Sequence, residues 1–270
     1  MADPTHVIED ESIRIEEYGN VAVIKINRPE RLNAWGREMD VSIERYMREL
    51  SAGEYRIRAV VITGEGRAFC AGGNVKNFPG ANIEQQRPPW RPAHPDIYAT
   101  TWMRKSDVPV IAAINGYCMG MGIGVALGSD IRIAADDAVF QVAQIKRGIT
   151  ADYGVPYFLP RAVGMQRALE LMFTARRFTA QEALDFGMVL EVVPAASLLD
   201  RALALAQEIA AGPPLGIAGT KQLAYSVEHD QLERVQLLTN QLVNQLFVTE
   251  DGVEGVKAFM ERREPAFRGR

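Results

Sequence analysis

The hydrophobic positions of the N-terminal part alternate between two periods and predict a mixed α/β structure. Residues 13–17 and 21–27 alternate as strands do, around a Tyr-Gly-Asn turn that is typical of a hairpin. Residues 37–50 carry apolar side chains at helical spacing, and residues 58–63 (RAVVIT) form an apolar run typical of a buried strand. The predicted order is therefore strand, strand, helix, strand.

A second buried strand is predicted at residues 110–114, and glycine then stands at alternate positions, Gly120, Gly122 and Gly124. Glycine lets the backbone approach another group closely, and the following GVALGSD indicates a tightly packed helix. The N-terminus of such a helix presents unpaired N–H groups, which favour a phosphate or a developing oxyanion. The spacing does not fit the GxGxxG dinucleotide motif, and close helix packing remains the alternative.

Three further stretches complete the pattern. Ala71-Gly72-Gly73 is another small-residue turn just past a strand end, and it predicts a second set of exposed N–H groups. Residues 77–105 contain a proline-rich stretch and are predicted to form a long loop, a functional lid or a disordered segment. The remaining predicted elements are helices at 165–174, 179–186 and 198–211, a strand at 189–193, and a helix at 230–247 whose apolar stripe suits either core or subunit interface.

Composition narrows the class of protein. With 270 residues, 47% apolar and 24% charged, the chain can bury a full core, as one large domain or as one domain with an appendage. A net charge of −4 gives no basic field for nucleic acid or an anionic membrane, so any anionic ligand must be met locally.

Cysteine and histidine usage and the lack of long apolar runs narrow it further. Two cysteines and three scattered histidines indicate neither a disulfide framework nor a metal site. Apolar runs stay below the roughly 18 residues of a membrane span, and the N-terminus does not read as a signal peptide. We therefore expect a cytoplasmic protein without a membrane segment.

Five segments together resemble the crotonase superfamily, the enoyl-CoA hydratase/isomerase family. They are RPERLNA at 28–34, AVVITGEGRAFCAGGNVK at 59–76, AAINGYCMGMG at 112–122, SDIRIAADDAVFQ at 129–141 and GVEGVKAFMERREPAFRGR at 252–270. The resemblance implies an α/β fold, a crotonase-like spiral of ββα units that forms an acyl-CoA-binding core at residues 1–194. It also implies a C-terminal helical region at 195–270 that joins subunits into homotrimers, often paired as hexamers.

The resemblance also implies how a thioester is held. Its carbonyl oxygen would lie between the backbone N–H groups of Ala71 and Met121. Preformed donors of this kind stabilise the enolate or tetrahedral oxyanion, and the loss of one costs on the order of 3 kcal/mol. Met121 stands where the family has a glycine, which brings a bulky side chain close to the acyl group.

By the same resemblance, coenzyme A enters only as part of the substrate, and no separate cofactor is expected. Lys76 would reach a phosphate, with a solvated lysine as the alternative; Phe259 would come from a neighbouring subunit, with a core position as the alternative. The implied CoA-binding residues are Arg28, Ala34, Ala71, Gly72, Gly73, Asn74, Val75, Lys76, Met121 and Phe259.

Both carboxylates that hydration requires are missing from the matching positions. Syn hydration uses one carboxylate to polarise water and another to deliver its proton. The motif places them at Gly124 and Gln144. Glutamine can hold a water but cannot shuttle a proton at neutral pH, and glycine can do neither. Ordinary enoyl-CoA hydration is therefore disfavoured.

Asp152 is a carboxylate that stands in a suitable place. Dienoyl-CoA and ring-epoxide isomerases of the family use the corresponding aspartate to shuttle protons, whereas 4-chlorobenzoyl-CoA dehalogenase uses it as a nucleophile. An apolar acyl pocket raises the pKa of a carboxyl by desolvation and makes it a better base. The alternative is a structural aspartate at a turn. The dehalogenase interpretation adds His94 as an activating histidine and shares Gly124, but expects a tryptophan at Gln144.

Three functions therefore remain open: isomerisation with Asp152 as base, displacement with Asp152 as nucleophile and His94 activating water, and non-catalytic binding of a CoA thioester. Side-chain size suggests a pocket for a cyclic or aromatic acyl chain. With Met121 at its edge, the residues expected to shape it are Trp90, Gln144, Tyr153 and Tyr157.

Overall fold

The computed structural model describes residues 3–10, 12–53, 56–73, 98–144 and 151–226, with residues 250, 254, 263, 266, 268 and 270. Its strands are β1 (His6–Glu9), β2 (Ile13–Tyr18), β3 (Val21–Ile26), β4 (Ala59–Gly64), β5 (Ala68–Cys70), β6 (Val110–Ile114), β7 (Tyr117–Met119), β8 (Ile131–Ala135), β9 (Val139–Gln141), β10 (Arg177–Thr179) and β11 (Glu191–Val193). Its helices are α1 (Arg37–Ala52), α2 (Ala99–Lys105), α3 (Met121–Gly128), α4 (Val155–Val163), α5 (Met165–Thr174), α6 (Ala180–Asp185), α7 (Leu198–Ala211) and α8 (Pro214–Ser226).

The strands form two sheets, and from β4 to β9 successive strands belong to the two sheets alternately. The larger sheet has the order β1-β2-β3-β4-β6-β8-β11, and the smaller has the order β10-β9-β7-β5. β4, β6 and β8 are parallel neighbours in the first sheet, while β5, β7 and β9 are parallel neighbours in the second. Each repeat therefore places one strand in each sheet, which confirms the predicted α/β spiral of ββα units.

Apolar runs predicted the strands of the larger sheet well. Every residue of β4 and β6 is buried, as expected for parallel strands covered on both faces. Helix α1 buries the stripe predicted from its spacing, including Met39, Ile43 and Met47. Helix α7 packs on β3, β4, β6 and β8, and its buried residues join the same core.

The long predicted loop at 77–105 is wrong at its end. Residues Ala99–Lys105 form helix α2, which packs between α1 and α3 and buries Thr100 and Met103. The last proline of the stretch, Pro95, is only four residues before the helix, so this short helix directly follows a composition typical of a loop. The rest of that loop and the apolar stripe at 230–247 lie outside the described residues.

Two buried or half-buried asparagines tie the strand ends together. Asn33 accepts a bond from the N–H of Arg28 at 2.9 Å and donates to the carbonyls of Glu65 at 2.9 Å and Ala68 at 2.6 Å. Asn115 donates to the carbonyls of Gly64 and Gly66 at 2.7 and 2.8 Å. These bonds supply partners to backbone groups that leave the sheets at turns.

Within the described part of the chain, no helix combines the length and apolarity that crossing a bilayer would require.

We expect Asn33→Ala to lower the free energy of unfolding by about 2–4 kcal/mol, because three hydrogen bonds are lost and buried carbonyls are left unpaired. Asn33 also has φ 56°, a conformation that asparagine tolerates better than alanine. Urea unfolding at constant m value measures the loss. Asn27→Ala is the matched control, since Asn27 makes only one exposed bond of 3.4 Å, and it should cost under about 0.5 kcal/mol. Equal losses in the two variants would contradict this account of Asn33.

Candidate active site

Two backbone segments leave the smaller sheet side by side. The ends of β5 and β7 are in register at Cys70 and Cys118. A Cβ added to Gly122 would lie 2.3 Å from the carbonyl oxygen of Cys70, so the first turn of α3 rests directly on the end of β5. A Cβ added to Gly120 would lie 3.6 Å from the Cα of Gly72. The N-terminus of α3 and the segment 70–73 therefore lie against each other.

Within the described residues, the N–H groups of Met121 and Gly73 have no hydrogen-bond acceptor. Met121 is the first residue of α3, where the N–H groups have no partner within the helix. The structure corrects the expectation for Ala71, because its N–H donates to the carbonyl of Leu32 at 3.0 Å. The N–H groups of the next two residues, Gly72 and Gly73, have no acceptor within the described residues, and we take Gly73 as the candidate donor.

The turn at residues 28–34 lies against the same segment. The carbonyl of Leu32 binds the N–H of Ala71, and Trp35 donates to the carbonyl of Gly72 at 2.8 Å. The turn and the segment 71–73 are thus in contact through Leu32 and Trp35, while the CoA-binding roles of Arg28 and Ala34 stay predictions. The guanidinium of Arg28 forms an ion pair with Glu38 and is largely buried.

Helix α3 is apolar along its length and is held from its C-terminal end by a cation. Arg104 donates to the carbonyls of Gly128 at 3.2 Å and Leu127 at 2.8 Å. Its guanidinium lies 4.6 Å from the ring centroid of Phe158 and 4.1 Å from that of Tyr225. A cation at the C-terminus of a helix stabilises it through the macrodipole and leaves the positive N-terminal end facing the site.

Asp152 and Gln144 form a side-chain pair beside this N-terminus. The Nε2 atom of Gln144 donates to Oδ1 of Asp152 at 2.9 Å. A Cβ added to Gly120 would lie 3.9 Å from the Gln144 amide, which places the amide close to the start of α3. Gln144 is buried, and its Oε1 atom has no hydrogen-bond partner in the described structure. A buried acceptor without a partner is costly, so this atom is suited to an O–H group of a bound molecule or water.

Position 124, where the family resemblance places the first carboxylate of a hydratase, has no room for a side chain. A Cβ added to Gly124 would lie 2.3 Å from the carbonyl oxygen of Tyr153 and 2.9 Å from its ring. No real side chain tolerates such a distance to a backbone oxygen. The backbone of residue 153 thus occupies the space that a side chain at residue 124 would need.

The side chain of Tyr153 is held by a hydrogen bond to the buried carboxylate of Asp40. Its hydroxyl donates to Oδ1 of Asp40, which also accepts the N–H of Ala99 at 2.8 Å. Burial raises the pKa of Asp40, while these two hydrogen bonds act in the opposite direction. The Tyr153 ring packs against Trp35 and Tyr98 with only 2% of its surface exposed. Little ring surface is therefore left to line the acyl pocket predicted for it.

Other predicted residues are less closely joined to this pair. The Tyr157 ring, on helix α4, is covered by the guanidinium of Arg161 at 3.7 Å and meets Phe158 edge-on. Met121 is partly buried against the core. Six predicted site residues lie outside the described residues and stay predictions: Asn74, Val75, Lys76, Trp90, His94 and Phe259.

The two cysteines belong to the floor of the site. Cys70 and Cys118 are free and buried, and burial raises the pKa of the Cys70 thiol to about 12. At neutral pH this thiol is a packing group rather than a nucleophile. Among the described residues, no cluster of three metal-ligating side chains is present.

Comparison with known proteins shows similarity over nearly the whole chain. A model described as enoyl-CoA hydratase/isomerase matches residues 16–270. The (E)-benzylidenesuccinyl-CoA hydratase of Thauera aromatica is 35% identical, covering 95% of this chain and 99% of that protein. The 1,2-epoxyphenylacetyl-CoA isomerase of Escherichia coli is 34% identical, covering 93% and 95%.

Solved structures agree in fold. The enoyl-CoA hydratase subunit I of Geobacillus kaustophilus superposes with a TM-score of 0.87 at 30% identity, covering 97% of this chain and 100% of that one. The enoyl-CoA hydratase of Bacillus anthracis gives a TM-score of 0.84 at 30% identity, covering 96% and 100%.

We expect Gly124→Ala to destabilise the protein by about 1–3 kcal/mol, because the added methyl must displace the carbonyl of Tyr153. The matched control is Gly216→Ala in helix α8, where an added Cβ meets only a proline side chain at 3.4 Å. That control should be neutral or slightly stabilising, since alanine favours helix over glycine by up to about 1 kcal/mol. Thermal unfolding of both variants measures the difference, and an unchanged Gly124→Ala protein would show that the contact yields freely.

Proposed function

Because the chain belongs to the enoyl-CoA hydratase/isomerase family of the crotonase superfamily, we propose that it moves a proton along the acyl chain of a CoA thioester, with Asp152 as the base. Enzymes of this family act on acyl-CoA substrates, and the finer chemistry is inferred from the site. The observation that carries the proposal is the hydrogen-bonded pair of Gln144 and Asp152 next to the free N-terminus of α3.

Two backbone donors would hold the thioester oxygen. The N–H groups of Met121 and Gly73 lie on neighbouring segments and have no acceptor within the described residues. Removal of a proton next to the carbonyl turns its oxygen into an oxyanion, which preformed donors stabilise without reorganising. We assign the second donor to Gly73 in place of Ala71.

The pairing of the Asp152 carboxylate with the amide of Gln144 favours a proton shift over addition of water. Gln144 donates to one oxygen of Asp152 and leaves the other oxygen available to take a proton. A carboxylate that takes a proton from one carbon can return it to another carbon on the same face, which is isomerisation. Hydration by carboxylates at positions 124 and 144 is disfavoured, since position 144 is a glutamine and position 124 is a glycine whose space is filled by Tyr153.

The substrate we propose is an acyl-CoA with an aromatic or cyclic acyl group. Two similar proteins carry names with such groups, benzylidenesuccinyl-CoA and epoxyphenylacetyl-CoA. Met121 at the oxyanion site supports the same class, because its flexible apolar side chain can pack against a ring.

Hydration is the second candidate. The unpartnered Oε1 of Gln144 can accept a hydrogen bond from a water molecule, and Asp152 could then serve as both base and acid in turn. One relative named above is a hydratase. The displacement reaction also requires His94, which lies outside the described residues, so that alternative stays a prediction. The trimeric or hexameric assembly likewise stays a prediction.

The test is deuterium incorporation from heavy water into phenylacetyl-CoA, butyryl-CoA and crotonyl-CoA. Cinnamoyl-CoA, which has no proton whose removal gives an enolate, is added to report hydration. We expect exchange with the intact protein and a loss of at least about 100-fold with Asp152→Asn, because general base catalysis contributes that much or more. The asparagine can still accept the bond from Gln144, so the change removes the base and keeps the geometry. Asp137→Asn, at an exposed turn, is the control and should leave exchange unchanged.

Three other outcomes have clear meanings. Undiminished exchange in Asp152→Asn would remove Asp152 as the base. Conversion of cinnamoyl-CoA to its 3-hydroxy product would favour hydration. An ester adduct on Asp152, detected by mass spectrometry, would favour displacement.

A further inference from the structure

The residue after Asp152 has an unusual backbone conformation. Tyr153 has φ 52°, in the left-handed region that bulky L residues rarely adopt. Gly154 follows with φ 78°, where glycine removes the steric penalty. Tyr153 has no such relief, so the surrounding structure must hold it there.

Contacts of the Tyr153 side chain supply that restraint. Its hydroxyl donates to Asp40 on helix α1, and Asp40 is itself fixed by the N–H of Ala99 at the start of α2. Its ring centroid lies 5.9 Å from that of Trp35 and 4.8 Å from that of Tyr98. The side chain of residue 153 is thus tied to helix α1 and to the start of helix α2.

The backbone of Tyr153 determines where Asp152 points. The carbonyl of Tyr153 is seated against Gly124, and the carbonyl of Asp152 accepts the N–H of Val155 at 2.9 Å. The peptide that follows Asp152 is therefore held on both sides, which limits how far the Cα–Cβ bond of Asp152 can turn. Its observed direction is the one that meets Gln144 at 2.9 Å.

We propose that Asp40 is a positioning residue for the reaction: through the Tyr153 hydroxyl it holds residue 153 left-handed and so keeps the Asp152 carboxylate against Gln144. The inference rests on the proposed role of Asp152 as base. Asp40 does not touch the substrate in this scheme, and its effect reaches the site only through Tyr153.

The first experiment compares two tyrosines that each bind a buried carboxylate. Tyr153→Phe removes only the hydroxyl that reaches Asp40 on helix α1. Tyr46→Phe removes only the hydroxyl by which Tyr46, on the same helix, reaches Glu17 at 3.0 Å. Both variants should lose a similar amount of thermal stability. With phenylacetyl-CoA in heavy water, we expect kcat for exchange to fall roughly 10- to 100-fold in Tyr153→Phe with KM within about twofold, because a misplaced base slows the chemical step. Tyr46→Phe should keep the intact kcat.

The second experiment varies the carboxylate. Asp40→Ala removes the acceptor for both donors and should lose as much kcat as Tyr153→Phe. Asp40→Asn keeps an Oδ1 acceptor for Tyr153 and Ala99, so it should recover most of the kcat lost in Asp40→Ala. Recovery would show that hydrogen bonding, rather than the charge of Asp40, holds the site.

The inference is overturned if Tyr153→Phe keeps kcat within twofold, if its loss falls in KM alone, or if Asp40→Asn is as impaired as Asp40→Ala. Should the intact protein exchange none of the three thioesters tested for exchange, the proposed function fails, and a crystal structure of Tyr153→Phe then decides the inference separately. An unchanged distance of 2.9 Å between Gln144 and Asp152 would reject it. Separation of the two side chains would support it.

Discussion

The site depends on the close approach of two backbone segments that leave neighbouring strands of the smaller sheet. Gly122 rests on the carbonyl of Cys70 at a distance that leaves no room for a Cβ. This contact brings the N-terminus of α3 beside residues 71–73, where the N–H groups of Met121 and Gly73 have no acceptor within the described part of the chain. As the donors that we propose, these backbone atoms are held by sheet and helix, so they would be preorganised for an oxyanion before any substrate binds.

A second backbone contact bears on the acid–base chemistry that we propose beside these two donors. The carbonyl of Tyr153 occupies the space beside Gly124, so residue 124 has no room for a side chain and the backbone of residue 153 is held in place. That peptide carries Asp152 into contact with Gln144. The loss of one carboxylate position and the placement of another are therefore consequences of the same backbone conformation. Since the Tyr153 hydroxyl is bound to Asp40, the arrangement extends from the site into helices α1 and α2.

Much of the fold could be predicted from the sequence, because hydrophobic burial is written in local periodicity. The wholly buried strands β4 and β6 appear as continuous apolar runs, and α1 appears as a helical stripe. Helix α6 begins at a capping box between Thr179 and Glu182, a local signal that also reads from sequence. Helix α2 was missed because it follows a proline-rich stretch and is only seven residues long. Three-residue strands such as β5 and β9 give too short a pattern for periodicity to detect.

The sequence indicated the segments that form the candidate site, but not which backbone N–H group of the first segment is available as a donor. The glycine motifs located both donor segments, and Gln144 and Asp152 were singled out before their contact was known. The motif does not distinguish Ala71 from Gly73 as the donor. We prefer Gly73 because the carbonyl of Leu32 takes the N–H of Ala71. Leu32 and Asn33 both have left-handed backbone conformations, which bring the Leu32 carbonyl to that position. A leucine gives no sequence signal for such a conformation. A donor is thus selected by a turn some forty residues earlier in the chain, and only the three-dimensional structure links the two.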